Sequence, residues 1–474
     1  MTRHHTPARA AAAFAGALLL SACQTFSPDG GMNVTASLAD QELRKDVVAI
    51  RTPDDAASAQ ARVDHLLKRS LTADAAVQVA LLNNRGLQAT YNQLGIAETI
   101  MVAGSLPPNL TLSVSRIASA ADVEIERKIV GNILALATLP ARAEIAQDRF
   151  RQAQLRATEQ TVRVAADARR SYYRAVASQQ LATLLVDAQF AAANAAKLAT
   201  RLGESGALNK LNQAREQVFY AEITAQLAGV RQKAANERER LTRAMGLWGN
   251  DLAFKLPSAL PELPARARPL PTVERDALGH RVDVQIARIE VETLAKSLGL
   301  SQATRFVNVL ELAAIDKATY PAGGASDRQR GVEVELQVPL FDFGETRLRE
   351  AEQTYMQAVN RLAEKAVNVR SEARDAYRNY RSTYDIAAHY QREVLPLRKI
   401  ISDEMMLRYG AMQVDVFALL TEARQRITSS VAAIEARRSF WLASTDLSSA
   451  IIGGGAGAEE TSVAMPASGA GGGH

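Results

Sequence analysis

The chain has 474 residues, 47% hydrophobic and 23% charged, with a formal net charge of +5. Its length suggests two or three domains, and Lys/Arg interleave with Asp/Glu on helix faces, so no nucleic-acid partner is expected. No apolar run reaches the roughly 18–20 residues of a transmembrane helix; a membrane crossing would have to be made by strands.

Residues 1–22 carry Arg3 and Arg9, an apolar run from Ala10 to Leu20 and then small residues, the pattern of a secretory signal peptide. Its removal takes away two arginines and no acid, lowering the charge from +5 to +3. The end of this stretch, Leu20-Ser21-Ala22-Cys23, resembles the lipobox of bacterial lipoproteins. That resemblance makes Cys23 the expected lipidation site (palmitate), and Gln24 after it implies sorting to the outer membrane. Each buried methylene of a lipid adds about 0.8 kcal/mol to membrane attachment. Cys23 is the sole cysteine, so no internal disulfide is expected.

Residues 23–70 are polar, with Pro28-Asp29-Gly30-Gly31 and Thr52-Pro53-Asp54-Asp55, and read as an irregular strap from the lipid to the body. Leu71–Asp74 is a helix start with Thr72 as N-cap. Ala76, Val79, Ala80 and Leu87 point to a core, and the helix ends before Pro107-Pro108. Asn109–Ser115 alternates as a strand, and a second strand is expected near Asn132–Leu139, apolar on both faces. A long Ala-rich helix covers about Pro140–Leu202. Gly203–Gly206 breaks it, and a return helix covers about Leu208–Leu247. Residues 251–271 are a proline-rich linker.

The plan then restarts. Ala277–Gln285 parallels Ala80–Gln88, and a strand is expected near Phe306–Leu312. From Gly331 the alternation is clean: Val332, Val334, Leu336, Val338 and Leu340 on one face, Glu333, Glu335 and Gln337 on the other. After a turn at Pro339–Arg347, a helix of roughly 60 residues shows a heptad seam. The seam holds Leu348, Ala351, Tyr355, Ala358, Leu362 and Val369. It slips by one there and continues from Ala373 through Tyr380, Ala387 and Val394 to Leu397 and Ile401. A break at Tyr409-Gly410 precedes a final helix, about Val414–Ile451, and residues 453–474 read as a disordered tail. Residues 71–250 and 272–452 thus form an internal two-fold repeat of helix, strand, strand, long helix and return helix.

A sheet bathed in lipid cannot leave its edges unpaired, and four strands are too few to close. Several chains must therefore share a barrel, with Glu333 and Glu335 turned to a wet lumen. The expected fold is mainly α with a small β part. Each chain gives four strands to a transmembrane β-barrel shared by several chains, and its long coiled-coil helices pack as antiparallel hairpins.

Several motifs resemble the TolC-like outer-membrane efflux protein family, over about Leu71–Ile452. The most specific is Pro339-Leu340-Phe341-Asp342-Phe343-Gly344 with Arg347, similar to that family's strand-to-helix turn. Ala80–Asn84, Leu241–Leu247, Arg281-Val282-Asp283-Val284 and Val414-Asp415-Val416 are similar as well, with Val282 in place of the usual proline. The first half lacks the Asp-x-Gly turn and has Leu139-Pro140-Ala141-Arg142 instead. The resemblance implies a lipid-anchored homotrimer in the outer membrane of a Gram-negative bacterium, a trimeric transmembrane β-barrel (four strands per chain) continued by a long antiparallel coiled-coil α-barrel that extends into the periplasm. It would be a passive exit duct for solutes, working with a periplasmic adaptor (a membrane fusion protein) and an inner-membrane pump.

The same resemblance implies roles for residues. Arg201, Gly203 and Gly206 at the first tip, and Arg408, Tyr409 and Gly410 at the second, would meet the adaptor. Asp415 would contribute to a gating ring; its alternative role is that of an acid at a helix N-terminus. Pro339, Asp342, Gly344 and Arg347 are expected to be structural, since glycine permits a sharp turn and Asp342 can cap the next helix. Catalysis finds no footing: the six histidines are scattered without metal-ligand spacing, and no glycine run sits between a strand and a helix. No enzyme activity, metal or cofactor is expected. Two other readings are open, a lipid-anchored coiled-coil scaffold without a pore and a duct for type I protein secretion.

Overall fold

The computed structural model describes residues 26–453; the expected signal peptide, Cys23 and the tail from residue 454 lie outside the described residues. The helices before the first strand are α1 (Asn33–Leu38), α2 (Pro53–Leu67), α3 (Ala73–Asn83) and α4 (Arg85–Ser105). Then come β1 (Thr111–Ala118), β2 (Asp122–Asn132), α5 (Ile133–Ala137), α6 (Leu139–Glu204) and α7 (Lys210–Met245). The remainder is α8 (Val273–His280), α9 (Val282–Ala303), β3 (Val309–Pro321), β4 (Asp327–Gln337), α10 (Glu345–His389), α11 (Leu395–Gly410) and α12 (Val416–Ile452). The fold is mainly helical, with one antiparallel sheet in the order β1-β2-β3-β4.

The residues fall into two compact units. The first comprises Met1–Asp55, Arg85–Thr158 and Val282–Val367, and contains the whole sheet. Here the expected irregular strap needs correction. Residues 33–38 form α1, whose Thr35 hydroxyl lies buried 3.0 Å from that of Thr158 on α6. Gln154 donates to the Gly31 carbonyl at 3.0 Å, and Val34 and Leu38 pack on Leu155, Val282 and Ile286. Thr52-Pro53-Asp54-Asp55, expected within the irregular strap, starts a helix. The Asp55 N–H donates to Thr52 Oγ1 (3.1 Å) while the Thr52 N–H donates to Asp55 Oδ2 (2.9 Å), a reciprocal capping box with Pro53 in the first turn.

The second strand is also corrected. β2 covers Asp122–Asn132, and the run Ile133–Leu139 is the helix α5 followed by the start of α6. Asn132 Oδ1 accepts from the Ala135 N–H at 2.7 Å and turns the chain into helix. A short apolar run carries no period that separates strand from buried helix. The other strands are displaced from their expected limits. β1 begins at Thr111, β3 runs on to Pro321, and β4 begins at Asp327 and stops at Gln337, short of Val338 and Leu340.

The second unit comprises Ala56–Asn84, Glu159–Arg281 and Asn368–His474. Thr72 caps α3 through the Ala75 N–H, and Ala76, Val79 and Ala80 are buried. Two stretches far apart in sequence lock together here. Asn83 and Asn84 donate to the carbonyls of Gly246 (2.7 Å) and Ala244 (3.2 Å) at the end of α7. Gly246 sits at φ +69°, and a Cβ there would come within 2.9 Å of the Asn83 carbonyl oxygen. The proline-rich stretch 256–271 is irregular but pinned. Tyr384 donates to the Pro264 carbonyl at 3.0 Å, Trp441 donates to that of Pro261 at 3.1 Å, and Tyr380 accepts from the Arg268 N–H. Phe440 packs edge-on against Tyr384 and Trp441, and Trp441 stacks on Tyr173. Burial pushes the Tyr172 and Tyr173 hydroxyls up to about 12.

The expected one-residue slip after Val369 is present in the burial pattern, which steps from Val369 to Ala373, Tyr380 and Ala387 along an unbroken α10. A further irregularity is a π turn at Tyr390–Val394. Pro396 follows it, and a proline in a helix lacks an N–H and crowds the carbonyl four residues earlier. The extra residue of the π turn rotates the stripe. Leu397 and Ile401, expected in the seam, are exposed, and Arg398 faces inward to Glu422 (3.1 Å) and Gln425 (2.6 Å).

Candidate functional site

Paired residues of a sheet share a face, so the register assigns every strand side chain. One face carries Leu112, Val114, Ile129, Leu312, Val332, Val334 and Leu336, which are 44% to 74% exposed. The opposite face carries Asp122, Glu124, Glu126, Glu311, Asp327, Glu333 and Glu335 against Lys128 and Lys317, a formal charge of −5. Glu333 pairs with Lys128 at 2.8 Å, Lys317 pairs with Glu124 at 3.0 Å, and Glu335 stands opposite Glu311. Among the described residues, both outer strands, β1 and β4, have one edge with no neighbouring strand. A sheet with one face exposed and apolar, the other charged, and two open edges is unsuited to water as a single copy. Among the described residues, no helix is long and apolar enough to cross a membrane.

The turn after β4 is fixed by backbone geometry. The Phe343 N–H donates to the Pro339 carbonyl at 2.8 Å, and Phe343 and Gly344 both take positive φ, +48° and +72°. A Cβ on Gly344 would lie 2.3 Å from the Arg305 carbonyl oxygen. Asp342 Oδ1 accepts from the Gly344 N–H at 3.0 Å. That bond, with further bonds from Thr346, holds the Asp342 carboxyl below its ordinary 3.8. Arg347 reaches back to the Thr304 carbonyl and the Asn308 side chain, tying α10 to the residues that lead into β3.

The tip residues belong to the second unit. The Ser205 N–H bonds the Arg201 carbonyl, Gly206 takes φ +77°, and Asn209 caps α7 through the Asn212 N–H. A Cβ on Gly203 would meet the end of the Gln213 side chain at 2.8 Å. At the second tip Arg408 pairs with Glu404, Tyr409 is 41% exposed, and α11 ends at Gly410. Asp415 is the N-cap of α12, its Oδ1 accepting from the Ala418 N–H at 2.8 Å. Val416, Phe417 and Leu420 of that helix lie beside Leu202 and Leu208 of the first tip. Sequence reasoning named Glu333 and Glu335 but missed the charges of β2 and β3. The alternation Val123-Glu124-Ile125-Glu126 was the signal for them.

Solved structures of several outer-membrane channels have a similar arrangement. The outer-membrane channel OprN matches with a TM-score of 0.67 at 17% identity, over 86% of this chain and 97% of that one. The CmeC outer membrane channel of Campylobacter jejuni gives 0.64 at 16%, over 83% and 85%. The open state of the MtrE outer membrane channel of Neisseria gonorrhoeae gives 0.65 at 14%, over 80% and 88%. The chain has the TolC-like fold. No protein-family model and no curated protein matches the sequence, so the likeness is one of fold. In this chain the Asp342–Gly344 turn lies between β4 and α10, and the two hairpin tips lie between α6 and α7 and between α11 and α12.

Proposed function

We infer that the chain is the outer-membrane channel component of an efflux system, a homotrimer that serves as a passive exit duct for solutes. The observation that carries this reading is the open, two-faced sheet. In the antiparallel meander β1 and β4 run oppositely, so β4 of one copy can pair with β1 of the next and continue the same pattern. Eight strands enclose a space that side chains fill, whereas about twelve leave a lumen, which favours three copies over two. The apolar face then meets lipid and the acidic face lines a wet, cation-attracting channel. The element order supports a duplicated half: α3–α4, β1, β2, α6 and α7 are followed by α8–α9, β3, β4, α10–α11 and α12. Lipidation at Cys23 would tether the periplasmic side, the helical tips would dock an adaptor, and a pump would supply the energy.

The test is reconstitution of the purified, lipidated protein in planar bilayers, with its mass measured in detergent. Trimers with a steady, cation-preferring conductance are expected. A lone chain without conductance would instead fit the scaffold reading.

A further inference from the structure

The apolar face of the sheet is not apolar throughout. Three rows at the end nearer the helices hold Leu310 with Leu336, then Leu312 with Val334, then Leu112, Ile129, Ala314 and Val332. The next row toward the β-turns places Arg127, Asp316 and Arg330 side by side, with Arg116 and Arg328 in the row beyond. Asp316 is bound by Arg328 at 2.8 Å and Arg330 at 3.3 Å, with Arg127 at 3.8 Å. The three arginine side chains remain 53% to 75% exposed. Four arginines against one aspartate leave a formal +3 on this face, where the opposite face carries −5. All the strand arginines lie on the apolar face and both strand lysines on the other.

We propose that Arg116, Arg127, Arg328 and Arg330 bind the phosphate groups of phosphorylated glycolipid headgroups in the outer leaflet of the surrounding membrane; this rests on the channel reading above. Basic side chains facing lipid are costly at mid-bilayer and nearly free at the interface, so this row marks where hydrocarbon ends. Exposed Phe306, Phe341 and Phe343 mark the other border, at the helix end. Guanidinium forks grip phosphate oxygens in pairs, which suits arginine better than lysine for this face. Asp316 holds the forks in one cluster and neutralises only one of them.

The test titrates the full-length lipidated protein in detergent with bisphosphorylated lipid A, the same lipid freed of phosphate, and inorganic phosphate. Occupancy is read by native mass spectrometry. The phosphorylated lipid should bind the wild type. Arg116→Gln and the triple variant R127Q/R328Q/R330Q should weaken it, the triple by about tenfold or more through lost charge-assisted bonds. Asp316→Asn should tighten it, whereas an ion-pair cluster with a purely structural role would leave lipid binding unmoved. Equal binding of the dephosphorylated lipid, or the same saturation by inorganic phosphate, overturns the proposal. Conductance of each variant is recorded in parallel. Normal conductance without phosphate-dependent binding sinks the lipid site alone, and a wild type that never conducts sinks the channel reading and the lipid site together.

Discussion

The chain passes from sheet to long helix twice in the first unit, by different local chemistry. After β2, Asn132 caps the short α5, and Thr138 keeps a right-handed conformation into α6. After β4, the chain turns through two positive-φ residues, Phe343 and Gly344, under the Asp342 carboxylate. The first route uses backbone angles open to any residue and leaves almost no mark in the sequence. The second uses angles that exclude most side chains, and so it leaves Asp342-Phe343-Gly344 as a readable signature. A junction is legible to the extent that its geometry restricts residue choice.

The largest effect should come from the restricted junction. Gly344→Ala meets both the positive φ and the Arg305 carbonyl, and should cost about 2–4 kcal/mol of stability, or prevent assembly, in thermal melts of the purified protein. A melt within a degree of wild type would show that the junction relaxes and the contrast is empty. The permissive junction should be gentler. Asn132→Ala loses one cap and should cost about 1 kcal/mol, with Asn132→Asp restoring most of it.

The two tips extend the contrast to the second unit, since Asn209 and Asp415 both cap a hairpin's return helix, but only Asp415 is charged. Asp415→Ala should cost about 1 kcal/mol through the cap and raise leak conductance in planar bilayers. Asp415→Asn keeps a capping oxygen and removes the charge. If it conducts like wild type, the gate assignment fails and capping is the whole role.

The smallest effect is one of pH at the Asp342 turn. Its folded carboxyl lies below the ordinary 3.8 because the Gly344 N–H and Thr346 favour the anion. The stabilisation is therefore complete above that ordinary value and is lost as pH falls through the lower folded one. Protection of the amides of residues 343–346, taken relative to their intrinsic exchange rates, should fall on acidification through that window in the wild type. In Asp342→Asn, protection there should show no such acid-dependent loss.

Much of the architecture was readable because backbone geometry imposes its own periods. The alternation of Val332 through Leu336 showed a two-faced strand, and the stripe from Val369 to Ala387 a helix seam. Asp342, Gly344 and Thr72 carried local rules for turns and caps. The errors arose where a local pattern had two solutions. Ile133–Leu139 has no decisive period, and Thr52–Asp55 suits a turn as well as the helix start it became.

Sequence alone determined the kinds of most elements and their order, since those follow from dihedral preferences and side-chain direction within a few residues. Tertiary structure alone decided the pairings between distant residues. Strand register set Arg127 beside Asp316 and Arg330 and gave the apolar face its basic rim. The π turn before Pro396 put Arg398 in the seam in place of Leu397. Folding brought Asn83 to Gly246, 163 residues away. Such contacts depend on how two separate segments align, and no local period encodes that alignment.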